Sequence, residues 1–430
     1  MKTIFGVATA ITRSGVAVIR ISGNGALNAA RELGTGNLEP RKAKLCKLAF
    51  KREAIDEILA IYFKGPHSFT GEDVVELHTH GSRAVIKKIL AILGAMPDLR
   101  MAEPGEFSRR AFENGKMDLL EAEGLADLID AETESQHRQA LRQMQGQLGH
   151  IYEKWRKEII EILAFVEAYI DFPDEDLPQE LIDRLTAKIE NLKAEIKNYL
   201  TDNRRGEKIR EGIYVVIIGA PNVGKSSLLN YLAGRDAAIV SEHAGTTRDV
   251  IEVQMEISGF AVTIADTAGL RETTDEIESE GIKRARDRAK DADLKIIMLE
   301  AGTVDKSVLT FADEDSIVVV NKIDRAKSVE KNALNISIKT GDGLDQMLAA
   351  LSAKISKKFE LNETPLITRA RHREALSKAL ASLENFSTEK PIELMGEDLR
   401  YAASQIGRIT GKIDVDDILD VIFSQFCIGK

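Results

Sequence analysis

Ile213-Tyr214-Val215-Val216-Ile217-Ile218-Gly219-Ala220-Pro221-Asn222-Val223-Gly224-Lys225-Ser226 is the stretch that decides the fold. An apolar run ends on G-x-x-x-x-G-K-[ST], the loop that cradles phosphates between a buried strand and a helix. Its glycines let backbone N–H groups close around the phosphates. Lys225 supplies a point charge to the β/γ oxygens, and Ser226 a hydroxyl to Mg²⁺. The pattern that follows (Ser227, Leu228, Leu229, Tyr231, Leu232) suits a helix.

Four further elements fall in order around this loop. Gly245-Thr246-Thr247-Arg248-Asp249 lies where a switch segment belongs, with Thr247 as a second Mg²⁺ hydroxyl. Asp266-Thr267-Ala268-Gly269 ends a strand; Asp266 can reach Mg²⁺ through water, and the Gly269 N–H can meet the γ-phosphate. Asn321-Lys322-Ile323-Asp324 follows Val318–Val320. A carboxylate there accepts both N1–H and the exocyclic amine of guanine, a donor pair that adenine lacks. Ser337-Ile338-Lys339 packs near the guanine ring. Any one of these is commonly just a turn after a strand. In this order and spacing they imply GTP binding and hydrolysis. Leu270 stands where a water-positioning Gln would follow DTAG, so catalytic help comes from elsewhere. Glu272, Asp275, Glu276, Glu278 and Glu280 follow, most of them suited to a solvated surface. Asn222 is placed to offer an oxygen to a monovalent cation; a loop Asn bonded to its own backbone is an equal reading.

At 430 residues the chain exceeds one core, and two to four domains are expected. Residues 1–116 carry 18 basic against 12 acidic side chains, net +6, within a chain of net charge −10. A mildly basic front domain suits tRNA or an acidic partner, or is an ordinary solvated surface. Two cysteines, Cys46 and Cys427, make neither a disulfide framework nor a CxxC metal site, and a cytoplasmic location is expected. No apolar run approaches a membrane span, so no membrane partner is expected. The first ten residues pass for a weak signal peptide, but Arg13 follows soon and Val16–Ile21 continues as a strand, so that reading is set aside.

Domains follow from the changes of period. Residues 1–117 mix strands (Ala17–Ile21, Glu57–Phe63, Val74–His80) with helices (Gly25–Leu33, Arg83–Leu93), an α+β domain. Residues 118–208 are helical, and 204–212 reads as a charged linker. Residues 209–354 carry the βαβ rhythm of a nucleotide-binding domain, with runs Tyr214–Ile218, Ala261–Ala265, Lys295–Leu299 and Ile317–Val320. Helical spacing returns over 355–430. The fold class is multidomain α/β: an α+β front domain, a helical domain and an inserted P-loop domain. His78 and His80 share a strand face, where packing or a hydrogen bond is expected; Cys427 has no evident base partner.

The Pro221–Asn230 loop with G-T-T-R-D and D-T-A-G-L resembles the bacterial GTPases that include Era, Der and MnmE. Val18-Ile19-Arg20-Ile21-Ser22-Gly23, Gly65-Pro66-His67-Ser68-Phe69-Thr70-Gly71-Glu72-Asp73, Pro104-Gly105-Glu106-Phe107-Ser108-Arg109-Arg110-Ala111-Phe112, Asn114-Gly115-Lys116 and the closing Cys427-Ile428-Gly429-Lys430 narrow the likeness. Over essentially the whole chain it is similar to the MnmE (TrmE) family of tRNA modification GTPases.

The resemblance implies a Ras-like P-loop GTPase domain inserted in the helical domain, and a front domain that binds tetrahydrofolate and makes a homodimer. It implies a heterotetramer with MnmG, an FAD- and NADH-using partner. Together they place an aminomethyl or carboxymethylaminomethyl group on carbon 5 of the wobble uridine of certain tRNAs. The one-carbon unit comes from a 5,10-methylene-tetrahydrofolate, with a 5-formyl form as a second ligand. Folate contacts map to Arg20, Glu76, Lys116 and Lys430; a pterin N–C–N donor edge suits the Glu76 carboxylate, and the folate tail suits Arg or Lys. GTP contacts map to Asn222, Val223, Gly224, Lys225, Ser226, Ser227, Ser241, Glu242, His243, Ala244, Gly245, Thr246, Thr247, Asp266, Thr267, Ala268, Gly269, Asn321, Lys322, Asp324, Ser337, Ile338 and Lys339. K⁺ is implied at Asn222, Ser241, His243 and Thr246, Mg²⁺ at Ser226 and Thr247, and catalysis at Glu278, with Arg271 beside it. An Era- or Der-like ribosome-assembly GTPase predicts a KH-type tail where 355–430 is helical. A GTP-controlled scaffold without cofactor chemistry predicts no folate binding.

Overall fold

The computed structural model describes residues 2–171, 179–235, 252–266, 290–303, 305–328, 330, 332–359, 365–413, 416–424, 426 and 429. These form two compact units, Met1–Ala126 with Gln143–Lys193 and Ala375–Lys430, and Asp127–Arg142 with Ala194–Glu374.

The first unit holds β1 (Thr3–Val7), β2 (Ser14–Ser22), β3 (Ala43–Phe50), β4 (Glu53–Phe63), β5 (Val74–Gly81) and β6 (Leu99–Met101) in one sheet of order β3-β4-β5-β2-β1-β6. All neighbours are antiparallel except β1 and β6. Strand residues alternate between two faces. Ala17, Ile19 and Ile21 of β2, with Val75 and Leu77 of β5, join the core beneath helices Ala26–Glu32 and Arg83–Gly94. Arg20, Glu76 and His78 stand on the other face, and Arg20 pairs directly with Glu76 across the strands. β1 is buried at every position, between β2 and β6. Its five-residue run is therefore a strand of the sheet. The unit's helical part includes Gln147–Asp171 and Ile392–Thr410, packed along one another. Gly396 of the second helix faces Val166 and Ile170 of the first.

The second unit holds β7 (Ile213–Gly219), β8 (Glu252–Ile257), β9 (Phe260–Asp266), β10 (Leu294–Glu300), β11 (Ser316–Asn321) and β12 (Leu334–Asn335), in the order β12-β11-β10-β7-β9-β8. All pairs are parallel but β8 with β9. The sheet has a core on each face. Ile213, Val215 and Ile217 pack with helices Lys225–Ala233 and Leu344–Lys358, while Val216 and Ile218 pack on the other side with Ile297 and Val308. Burial on both faces is why these strands read as unbroken apolar runs. β7 lies between β10 and β9, where the strand order turns, and ligands of open α/β sheets bind beyond the carboxyl ends of strands at such a point.

The linker reading of 204–212 is corrected. Arg205–Glu211 is a helix with Gly206, Glu207 and Ile209 buried. Its charges are paired inside the unit rather than solvated. Glu207 accepts from Arg373 Nε at 2.6 Å and Arg204 Nε at 2.6 Å, and these guanidinium partners overcome burial to hold its carboxyl below the usual range.

Candidate nucleotide and folate sites

β7 ends at Gly219, where an added Cβ would lie 2.6 Å from the Met298 carbonyl oxygen. The chain then turns through Asn222, at φ 61°, and Gly224, at φ 112°, into helix Lys225–Ala233. That helix N-terminus directs free N–H groups and its positive dipole end at the space above β7. Lys225 Nζ donates to the carbonyls of Gly219 (2.9 Å) and Ala220 (3.0 Å). Burial lowers its pKa, partly offset by the Asp266 charge. Ser226 Oγ donates to Asp266 Oδ2 at 2.9 Å, setting two oxygens side by side. This pair suits a hard cation with oxygen ligands.

Asn321, nearly fully buried at the end of β11, ties the site together. Its Nδ2 donates to the Val223 carbonyl at 2.8 Å, and its Oδ1 accepts from Ile338 N at 3.2 Å. The phosphate loop and the Ser337–Lys339 loop are thus joined through one amide. Gly224 has to be glycine on two counts: its positive φ, and an added Cβ would sit 2.4 Å from Asn321 Nδ2. Ser337 Oγ donates to Asp324 Oδ1 at 2.8 Å, chiefly responsible for the lowered pKa of that exposed carboxyl. Lys322, at φ 66°, donates to Glu300 Oε1 at 2.8 Å. Asn222, Val223, Gly224, Lys225, Ser226, Ser227, Asp266, Asn321, Lys322, Asp324, Ser337, Ile338 and Lys339 therefore lie on the loops, the strand ends and the first turn of helix Lys225–Ala233 at one sheet edge. Ser241, Glu242, His243, Ala244, Gly245, Thr246, Thr247, Thr267, Ala268, Gly269, Arg271 and Glu278 lie outside the described residues.

In the first unit, the separated motifs of the front domain meet around Arg20. Its Nε and Nη2 donate to Glu76 Oε1 at 3.0 and 2.9 Å, and Nη1 to the Gly429 carbonyl at 3.3 Å. The guanidinium lies 5.0 Å from the Phe69 ring centroid and 5.6 Å from that of Phe107. Gly429, at φ 98°, rests on β1; an added Cβ would sit 2.2 Å from the Val7 carbonyl. Glu76 Oε2 lies 3.5 Å from His78 Nε2. His80 bonds Asp56 at 2.7 Å, the hydrogen-bond role expected of it. Lys116 Nζ donates to the Pro66 carbonyl at 2.9 Å, so it stands at the Gly65–Asp73 loop. Cys427 and Lys430 lie outside the described residues.

Sequence reasoning missed three parts of this arrangement. Phe69 and Phe107 sit inside the front-domain motifs but carry no signal of a role until both rings are seen against the Arg20 guanidinium. Glu72 accepts from Ser22 Oγ (2.7 Å) and Arg110 Nη1 (2.8 Å), so one partly buried carboxylate fastens three of the motifs. Arg20 mainly orients Glu76 and the Gly429 backbone, a geometry that residue type alone does not reveal.

Comparison with known proteins is consistent along the chain. The model of the GTP-binding protein TrmE N-terminus matches residues 3–116, and that of the MnmE helical domain matches 119–427. The tRNA modification GTPase MnmE of Parvibaculum lavamentivorans is 54% identical over 438 residues, covering 100% of both chains. Those of Rhodospirillum rubrum and Rickettsia bellii are 48% and 46% identical, again over 100% of both chains. The chain belongs to the MnmE (TrmE) family of tRNA modification GTPases. Its fold is that family's set of parts: a TrmE N-terminal domain, a helical domain and a P-loop GTPase domain. This MnmE-family chain is a GTP hydrolase. A solved G domain of the T. maritima FeoB iron transporter is also similar, 25% identical over 34% of this chain and 98% of that one, with a TM-score of 0.26. No helix among the described residues is long and apolar enough to cross a membrane.

Proposed function

We propose that this chain is a K⁺-stimulated GTPase that acts with MnmG to place an aminomethyl or carboxymethylaminomethyl group on carbon 5 of the wobble uridine of certain tRNAs, with a tetrahydrofolate derivative as one-carbon donor. It works in the cytoplasm as a homodimer within a heterotetramer with MnmG. The observation that carries the reading is the meeting of Arg20, Glu76, Phe69, Phe107 and Gly429 around one guanidinium.

The residues present fit the groups they are asked to hold. A carboxylate accepts at about four lone-pair sites, and Arg20 occupies only the Oε1 side of Glu76. Oε2 meets no guanidinium donor and lies 3.5 Å from His78 Nε2, so it can still accept from a pterin donor edge beside the Phe69 and Phe107 rings. Lys116 and Lys430 suit the acidic folate tail. In the nucleotide site, Ser226 and Asp266 present adjacent oxygens to Mg²⁺, with Thr247 as a further ligand. Bound Mg²⁺ neutralises charge on the β and γ phosphates. Lys225 exchanges its two carbonyl acceptors for phosphate oxygens. Asn222 offers its side-chain oxygen to K⁺ together with Ser241, His243 and Thr246, and the cation takes the charge-neutralising part that an arginine finger plays elsewhere. Glu278 orients the attacking water, with Arg271 beside it. Asp324, held by Ser337, reads guanine.

Calorimetric titration with 5-formyl-tetrahydrofolate tests the reading. The wild-type chain should bind, and Arg20→Met and Glu76→Gln should each weaken binding at least tenfold with GTP hydrolysis unchanged. Absence of wild-type binding refutes the folate assignment. Equal hydrolysis rates in KCl and NaCl at matched ionic strength refute the K⁺ assignment.

A further inference from the structure

Residues 134–142 of helix Glu134–Met144 belong to the second unit, where they are attached to the nucleotide-binding fold in two different ways. One attachment is broad and runs through helix Arg205–Glu211, which leads directly into β7. Gln136 Nε2 donates to the Arg210 carbonyl at 3.2 Å, and Gln139 Nε2 to the Gly206 carbonyl at 2.8 Å. Asp127 Oδ1 accepts from Arg210 at 3.0 Å and Arg369 at 2.8 Å. Gly206 admits no side chain, because a Cβ would meet the Ile367 carbonyl at 2.3 Å. Lys208 reaches Asp293 Oδ1 at 3.0 Å, and Asp293 Oδ2 accepts from Tyr214 N of β7 at 2.9 Å. This is a pedestal fixed to the strand that carries the phosphate loop.

The other attachment is narrow. Ser135 N donates to the carbonyl of Gly259 at 3.1 Å, in the turn between β8 and β9. Ser135 stands in the first turn of its helix, where backbone N–H groups lack intrahelical partners, so the hairpin supplies the acceptor. Gly259 has φ 83°, and a Cβ there would lie 3.5 Å from Ser135 Oγ.

The hairpin itself is regular, paired without a break from Glu252↔Ala265 to Ile257↔Phe260, so it forms one continuous ribbon of roughly 20 Å. Its open end sits at the nucleotide site: β9 finishes on Asp266, which holds Ser226. β9 is also paired with β7 from Ile213↔Val262 to Ile217↔Asp266, so a change at Ser226 and Asp266, when Mg²⁺ and the γ-phosphate engage them, would travel along the joined strands to the β8–β9 turn. Ser135 is where such a change would reach helix Glu134–Met144, beside the pedestal contact made by Gln136.

We propose that the β8–β9 turn is the contact through which nucleotide state is passed to the helical segment 127–142, with Ser135 and Gly259 as its transmitting pair and helix Arg205–Glu211 as its pedestal. The test is hydrogen–deuterium exchange of the full-length chain with GDP and with a non-hydrolysable GTP analogue, in K⁺ and Mg²⁺ buffer. In the wild type, the amides of 134–144 should exchange at rates differing about two- to tenfold between the nucleotides, the range one hydrogen bond supports. Ser135→Pro removes the donor at a helix position that tolerates proline. It should abolish that difference, leave the difference in β8–β9 intact, and keep GTP affinity and hydrolysis within twofold. Should Ser135→Pro unwind the helix, the pair Ser135→Cys with Gly259→Cys serves instead. Oxidation should fix the turn to the helix and remove the difference in 134–144, and reduction should restore it. Identical wild-type exchange with both nucleotides, or a difference that survives in Ser135→Pro or in the oxidised pair, overturns the proposal.

Discussion

Gly224→Ala tests how far nucleotide affinity depends on the Asn321 amide. The added methyl enters a backbone at φ 112°, outside the conformations L-residues favour, at a cost of about 1–2 kcal/mol. It would also stand 2.4 Å from Asn321 Nδ2, so the amide has to leave. Its bonds to the Val223 carbonyl and to Ile338 N are then lost, at a net value of about 1 kcal/mol each. The sum, about 3 kcal/mol or more, lowers affinity by about two orders of magnitude. Asn321→Ala alone loses only the two bonds, about 2 kcal/mol or roughly 30-fold. Because it also vacates the space the methyl needs, the double variant should be about 2 kcal/mol better than the sum of the single effects. Titration of a fluorescent GDP analogue, followed by polarisation, measures all three. Additive losses, or a Gly224→Ala affinity within threefold of wild type, would refute the linkage drawn between the two loops.

Two more outcomes follow from charge. Asp118 caps helix Leu119–Asp130 by accepting from Glu121 N at 2.8 Å, and burial pushes its pKa from 3.8 to about 6. The folded state therefore holds this proton more tightly than the unfolded chain. Stability from this group is fully present below pH 3.8 and is lost as pH rises through about 6, a change of about 3 kcal/mol. Asp118→Asn keeps an acceptor for the cap and should raise the melting temperature above pH 7 by roughly 6 °C, with the gain shrinking toward pH 4; a gain independent of pH would contradict the assignment. Asp324→Asn should shift preference from GTP toward xanthosine triphosphate, and competition between the two nucleotides would expose unchanged selectivity.

The nucleotide site was legible because its chemistry is done by backbone and a few fixed side chains. Gly224, Lys225, Asp266, Asn321 and Asp324 announce themselves by type and spacing, and the strands between them are apolar on both faces. β8 was also within reach, since Glu252–Ile257 alternates exposed and buried residues, but it contains no continuous apolar run. Helix Arg205–Glu211 was not legible, because its charges find partners such as Arg373, 166 residues away from Glu207. A charged segment whose counter-ions are distant in sequence looks like a solvated linker. Arg20 and Glu76 sit in the same position: their pairing is set by the β2–β5 register, and their third partner, Gly429, is 409 residues from Arg20.

That last distance is also an interval of time. At 5–20 residues per second, a ribosome needs about 20–80 s to travel from Arg20 to Gly429. Every partner of Asn321 has been synthesised by residue 338, whereas Arg20 waits for its final acceptor until nearly the whole chain has emerged. A chain that stalls in its last helices would already have every described piece of the nucleotide site and would lack the backbone that rests on β1. Premature release would therefore act unequally, leaving the Asn321 contacts of the nucleotide site complete and removing the Gly429 acceptor of Arg20.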